Sequence, residues 1–166
     1  AEANSLSIEA IGFKGKAITL RSGDITGPND VTLSPHDTLL LGLLDPGSVV
    51  TFASGEGPDT VIRGMNISWG SADYGAGIRC EGSSPTIEDC IITNNFANFY
   101  GAGIDCLDAA PTIRNCTLTG NQTPGAAGIG AGTNCENASP VIANWLISYN
   151  LCKQVGGGHT SSRSPA

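Results

Sequence analysis

The sequence predicts an all-β molecule, a single-stranded right-handed parallel β-helix (β-solenoid) of about six coils with roughly 26 residues in each. Three observations carry that expectation. The chain writes one stretch three times, as GAGIRCEGSSPTIEDCIITNN at 75–95, GAGIDCLDAAPTIRNCTLTGN at 101–121 and, more loosely, GAGTNCENASPVIANWLISYN at 130–150. Each copy holds two short runs of apolar alternation, Ala76, Ile78 and Cys80 in the first and Ile87, Cys90 and Ile92 around the second. Turn formers such as Gly82-Ser83-Ser84-Pro85 separate them, and nothing is long enough for the amphipathic helix of a helical repeat. Finally, a copy of this length, at about 3.3 Å per residue, makes one turn of a flattened coil whose strands pair with their copies about 4.8 Å away. The right hand follows from the usual chirality of parallel crossovers.

Stacking makes columns, and the columns can be read. Inward, Ile78 falls over Ile104 and Thr133, Ile87 over Ile113 and Ile142, and Ile92 over Leu118 and Ile147. Phe52, Ile62 and Ile67 extend these columns by one coil, beneath Ile78, Ile87 and Ile92. In the other direction 156–161 takes the place of 75–80, so the last coil is begun and not finished. Outward, Arg63, Glu88 and Arg114 alternate in sign down one column and Arg79 lies beside Asp105, an arrangement that favours cross-strand pairs. Asn95, Asn121 and Asn150 close the second strand of each copy. There an Asn can hold a left-handed bend and pass amide hydrogen bonds up the stack.

In chain order, residues 1–46 read as irregular first coils, 47–155 as regular coils and 156–166 as an incomplete last coil or tail, all within one domain of 166 residues. Ile8, Ala10 and 17–20 suggest the first strands, with 13–16 at a corner. A longer excursion follows at 23–46, punctuated by Pro28, Pro35 and Pro46. Inside it Leu39, Leu40, Leu41, Leu43 and Leu44 exceed what one inward face can bury, so some should lie under a folded-back loop or against another molecule. The net charge of −7 disfavours nucleic acid and anionic membranes as partners. No apolar run is long enough to span a bilayer.

Six cysteines in a chain otherwise rich in Ser, Thr, Asn and Gly suggest an oxidising, exported setting. Cys80/Cys90 and Cys106/Cys116 recur as pairs ten apart, and the coil before them carries Ser54 and Met65 instead. That joint loss favours bonding within a coil, 80–90 and 106–116, which leaves Cys135 with Cys152. Bonding between coils, 80–106 and 90–116, or a ladder of free thiols would also fit. Zinc is disfavoured, since no CxxC occurs and only His36 and His159 could assist; no cofactor is expected.

GAGIRCEGSSPTIEDCIITNN is similar to the GGGIYC–SSPTI–NC–I–N repeat of bacterial secreted right-handed parallel β-helix proteins. The stretch 13–20, with 48–60, resembles the segment preceding those repeats. The resemblance covers nearly the whole chain except 23–44. It implies the fold; similar repeats occur in surface proteins, in adhesins and beside polysaccharide-degrading enzymes. The family pattern opens with a strand and an amphipathic helix capping the first coil, which this sequence does not show.

Uncapped coils offer unpaired strands and open apolar columns, and natural solenoids normally cover both. The first expectation is therefore a non-enzymatic extracellular or cell-surface protein that associates with itself head to tail into a filament, unless 23–44 and the tail close the ends. The rival is carbohydrate binding: Tyr74 and Tyr100 occupy one corner a coil apart, with Trp69, Phe96 and Phe99 in the same loops, and ring faces can stack on sugars. A polysaccharide lyase or hydrolase needs clustered free carboxylates. Here Glu88 and Asp105 face arginines, Asp89 meets Asn115 and Asp73 meets Phe99, so no catalytic residue is expected. Ice binding through Ser68, Thr93, Thr119 and Ser148 fails on the uneven neighbouring column Asn66, Ile91, Thr117, Leu146. The sequons at Asn66, Asn115, Asn121 and Asn137 read as chance matches in an Asn- and Thr-rich repeat.

Overall fold

The computed structural model describes residues 11–12, 14–17, 19–21, 39–42 and 46–162. Within them each complete coil carries four short strands rather than the two runs the alternation suggested, because left-handed backbone recurs at four corners. The corner columns are Gly82, Asp108 and Asn137; Gly64, Asp89, Asn115 and Asn144; Trp69, Asn94, Gly120 and Tyr149; and Gly75, Gly101, Gly130 and Gly156, all with positive φ. Apart from Trp69 and Tyr149 these are Gly, Asn or Asp, the residues that enter this region at least cost.

The strands stack into four parallel sheets. Sheet 1 runs Ile11–Gly12, Val50–Phe52, Ile78–Glu81, Ile104–Leu107, Thr133–Glu136 and His159–Ser162. Sheet 2 runs Thr19–Arg21, Val61–Arg63, Thr86–Glu88, Thr112–Arg114 and Val141–Ala143. Sheet 3 holds Leu39–Leu41, Asn66–Ser68, Ile91–Thr93, Thr117–Thr119 and Leu146–Ser148, and sheet 4 holds Ser71–Tyr74, Phe96–Tyr100, Gln122–Thr123 and Leu151–Cys152. Six strands in sheet 1 make five turns from first to last among the described residues, one fewer than expected.

Register follows the inward columns. Ile62, Ile87, Ile113 and Ile142 stack in sheet 2, and Ile67, Ile92, Leu118 and Ile147 in sheet 3. Leu40 heads the latter column and is buried. It belongs to the core and is not free for self-association; Leu39 and Leu41 flank it half-buried, while Leu43 and Leu44 lie outside the described residues. In sheet 1 Val50, not Phe52, stands at Ile78, and Phe52 stands at Cys80. A two-residue shift keeps the same face inward, since side chains alternate with period two. Ser54 is therefore not the counterpart of Cys80, although Met65 is that of Cys90. The expected place of 156–161 holds, with His159 at Thr133 and Ser161 at Cys135.

All six thiols are free. The expected within-coil pairs sit on different walls: Cys80 and Cys106 belong to sheet 1, whereas Cys90 and Cys116 lie at the corner between sheets 2 and 3. Like meets like instead, with Cys80, Cys106 and Cys135 as successive rungs of one buried column and Cys90 and Cys116 of another. Cys152 stands apart, over Thr123. The hydrogen bond with Cys106 and the loss of water push the Cys135 thiol up; the same bond pulls Cys106 down, but its contact with Cys80 and burial outweigh it, and Cys116 and burial hold Cys90 well above the ordinary thiol range.

The asparagine column is inside the coil, and the bend falls one residue earlier, at Asn94, Gly120 and Tyr149. Asn95 Nδ2 donates to Ile67 O at 3.1 Å and to Asn121 Oδ1 at 3.0 Å, and its Oδ1 accepts from Gly70 N at 2.9 Å. Asn121 Nδ2 repeats the pattern to Ile92 O and Asn150 Oδ1, and Asn150 Nδ2 reaches Leu118 O at 2.9 Å. A buried amide with every atom matched is a structural ladder.

Candidate functional site

Two outward faces of the solenoid carry charge, and their construction differs. On sheet 2 the nearly buried Glu88 sits between two arginines: Arg63 Nη1 is 3.5 Å from its Oε1, and Arg114 donates to its Oε2 through both Nε and Nη2. Arg63 also holds Asp89 at 2.9 Å, and Asp89 accepts from Asn115 at 3.0 Å. Both carboxylates are met by cations and amides of the neighbouring coils, as the alternating signs predict.

Sheet 1 presents a second face. Its outward residues Arg79, Asp105, Asn134 and Thr160 form a column bonded in series: Arg79 Nη1 lies 3.5 Å from Asp105 Oδ2, Asn134 Nδ2 donates to Asp105 Oδ1 at 2.9 Å, and Thr160 Oγ1 donates to Asn134 Oδ1 at 3.0 Å. Glu81, Leu107, Glu136 and Ser162 make the next outward column. Across the corner stands a third, Tyr74, Tyr100, Ile129 and Val155.

That corner is glycine in every coil, at Gly75, Gly101, Gly130 and Gly156. A Cβ on Gly101 would come within 2.5 Å of Ile104 O and 2.8 Å of Asp105 Cβ. Only a residue without Cβ lets the aromatic column lean in over the polar one. The three columns therefore form a gutter along the solenoid: a hydrogen-bonded floor, an aromatic and aliphatic wall, and an acidic wall. Its upper part, lined by Tyr74, Arg79, Tyr100, Asp105, Leu107 and Glu136, measures about 320 Å³. The lower part shares Tyr100 and Glu136, continues past Ile129, Asn134 and Val155, and measures about 570 Å³.

A β-bulge finishes the wall. Ala97 pairs with Ala72 and Tyr100 with Tyr74, so Asn98 and Phe99 oppose the single residue Asp73. The extra residue bends the strand. Asn98, rather than the expected Phe99, meets Asp73, donating at 2.8 Å. Phe99 is thrown onto the tyrosines, with ring centroids 5.5 Å from Tyr74 and 6.4 Å from Tyr100, while the two tyrosines are 5.6 Å apart. Tyr74 and Phe99 each remain 38% exposed. The Arg79 guanidinium lies 5.1 Å from the Tyr74 ring centre, tying wall to floor.

Of the residues singled out from sequence, the structure gathers Tyr74, Phe99 and Tyr100 and leaves Trp69 apart, on the corner between sheets 3 and 4. Sequence reasoning placed Asp105 only as the partner of Arg79, and it passed over Glu136 and the glycine column. The available signal was a Tyr immediately before Gly75 and Gly101, at the start of the first two repeats. Burial pushes the Asp105 carboxyl above its ordinary value, against the opposing pull of the Asn134 hydrogen bond and Arg79. Glu81 is engaged by Arg79 at 3.1 Å. Among the described residues no three or more His, Cys, Asp or Glu side chains converge to hold a metal ion, and no helix is long and apolar enough to cross a membrane.

Four parallel sheets closing round one core and an exposed gutter define a β-solenoid. A family model described as the right handed beta helix region matches residues 46–152, and the chain belongs to that family. No curated protein and no solved structure matches it.

Proposed function

We propose that this protein is a non-catalytic binding module for an extended polysaccharide, which lies along the gutter of sheet 1 with its sugar faces against Tyr74, Phe99 and Tyr100. The observation that carries the reading is the half-exposed aromatic cluster set over a polar floor at a glycine corner. Flat rings over a hydrogen-bonding floor suit a ligand that is apolar on its ring face and polar at its edge. Binding rather than bond cleavage is supported by the engagement of the carboxylates: Glu88 belongs to Arg63 and Arg114, and Asp105 to Arg79 and Asn134. An exported or cell-surface setting follows from such a partner. The free thiols, most of them buried in columns, lend that setting no support.

The test is binding to a panel of soluble oligosaccharides and insoluble polysaccharides, comparing the wild type with Tyr74→Ala/Tyr100→Ala. Each ring contributes about 1 kcal/mol of stacking, so the double variant should bind roughly thirtyfold more weakly while its circular dichroism is unchanged. No binding by the wild type, or equal binding by both proteins, removes the reading.

A second reading, head-to-tail self-association into a filament, is favoured by the coil nearest the described C-terminal residues. Val141, Leu146, Tyr149 and Leu151 are well exposed there, at places held by Thr112, Thr117, Gly120 and Gln122 one coil earlier. Exposed apolar side chains grouped on one coil suit contact with another copy. Light scattering across a concentration series and electron microscopy at high concentration should show growing assemblies, diminished by Leu146→Lys/Leu151→Lys. A monomer at every concentration removes it.

A further inference from the structure

The gutter's charges point to a narrower class of ligand, an inference that rests on the glycan reading above. Three carboxylates, Glu81, Asp105 and Glu136, face or flank the groove, against one cation, Arg79. That cation is already committed, since its guanidinium lies 3.1 Å from Glu81 and 3.5 Å from Asp105. The floor amide is committed too: Asn134 donates to Asp105 and accepts from Thr160. What the groove still offers is an acceptor, the exposed Glu136 carboxylate, which borders both its upper and lower parts. An incoming carboxylate or sulfate would find the only lining cation among the described residues engaged and would meet like charge. A ligand carrying ammonium groups would meet an unneutralised carboxylate across the floor from an aromatic wall.

We propose that the gutter recognises a linear cationic glycan, one whose sugars bear free amino groups, in preference to neutral or uronate-bearing chains. The aromatic wall takes the ring face and Glu136 takes the ammonium, with Asp105 beneath. Because the interaction is at the surface, it is screened by salt, and it is lost when the sugar amine is deprotonated. The preference therefore belongs at low ionic strength and mildly acid to neutral pH.

The experiment is calorimetric titration of the wild type and Glu136→Gln with four probes at low salt: an oligomer of glucosamine, the same oligomer fully N-acetylated, an oligogalacturonate of similar length, and oligolysine. The glucosamine oligomer should bind about two- to fivefold more tightly than its acetylated twin, the worth of the one exposed charge pair that Glu136 offers. Its advantage should shrink with added salt and with rising pH. Glu136→Gln should weaken the glucosamine oligomer about two- to fivefold and leave the acetylated one unchanged. An acetylated or uronate oligomer that binds as well as the amine overturns the inference and leaves the glycan reading standing. Oligolysine binding as tightly as glucosamine also overturns it, because charge alone would then be recognised. If no oligosaccharide binds at all, the glycan reading itself falls. Glu136 is exposed, so the variant should melt with the wild type, and a matched thermal transition confirms that a lost affinity is local.

Discussion

The two charged faces of this solenoid are made from the same repeat and end up doing opposite things. On sheet 2, Glu88 is clamped by arginines from the coils on either side and Asp89 by Arg63 and Asn115, so the charge is consumed within the stack. On sheet 1 the corresponding series has one cation, Arg79, and passes from Asp105 to the neutral Asn134 and Thr160, with Glu136 left over. The corner between sheets 2 and 3 carries Gly64 and then Asp89, Asn115 and Asn144, whereas the corner between sheets 4 and 1 is glycine throughout. A side chain at a corner fills the angle; its absence opens a groove. The difference teaches that in a repeat fold the site is found where the column of corner residues loses its side chains and the charge column loses its alternation.

The interior should not share this difference, which gives the largest test. Ile104 behind the gutter and Ile113 behind the closed face are both fully buried. Replacing either by Ala should cost about 2–5 kcal/mol in denaturant unfolding. A cost confined to one of them would mean that the faces differ in packing as well as in surface. Next, Glu88→Ala should destabilise by about 1–3 kcal/mol through lost charge-assisted hydrogen bonds without touching glycan affinity, whereas Tyr74→Ala/Tyr100→Ala should do the reverse. If Glu88→Ala weakens binding, the faces are not independent.

A comparable cost is expected at Glu56, only 2% exposed, whose carboxylate accepts from Gly15 N at 2.9 Å, Ser54 N at 2.8 Å and Ser83 Oγ at 2.9 Å. Burial pushes this carboxyl up, but the hydrogen bonds outweigh it and hold it below its ordinary 4.5. A depressed folded value means stability that is present above 4.5 and lost as pH falls through the folded value. Glu56→Ala should therefore cost about 1–3 kcal/mol near neutrality, and its gap from wild type should close in acid. A gap that stays constant with pH would assign the loss to packing. The smallest effect is chemical: in the native protein a thiol reagent should label the half-buried Cys152 slowly and leave the other five cysteines untouched, with all six reacting after denaturation. Fewer than six under non-reducing conditions would reveal disulfides.

The register of the coils was legible because inward residues answer to a local rule. Ile87, Ile113 and Ile142 share a period, a face and an apolar character, so a core column can be read from one dimension. The disulfide expectation failed for the complementary reason. Cys80 and Cys90 are close in sequence, but a coil with four corners sets them on different walls, and sequence spacing does not count corners. The bulge at Asn98–Phe99 was illegible in the same way, as one extra residue changes which ring meets which without disturbing the alternation around it.

By itself, then, the sequence determined the β-solenoid, its period, the inward columns of the repeated coils though not the place of Phe52, and the amide ladder of Asn95, Asn121 and Asn150, because those depend on repeated local chemistry stacked at a fixed interval. Only the tertiary structure decided that thiols stand over thiols rather than pair, that Phe99 joins Tyr74 and Tyr100 while Trp69 does not, and that Glu136 faces a groove. Those relations depend on the angle at each corner. That angle is set by whether a Cβ can be accommodated against the neighbouring strand, a three-dimensional constraint that the order of residues records only as a glycine.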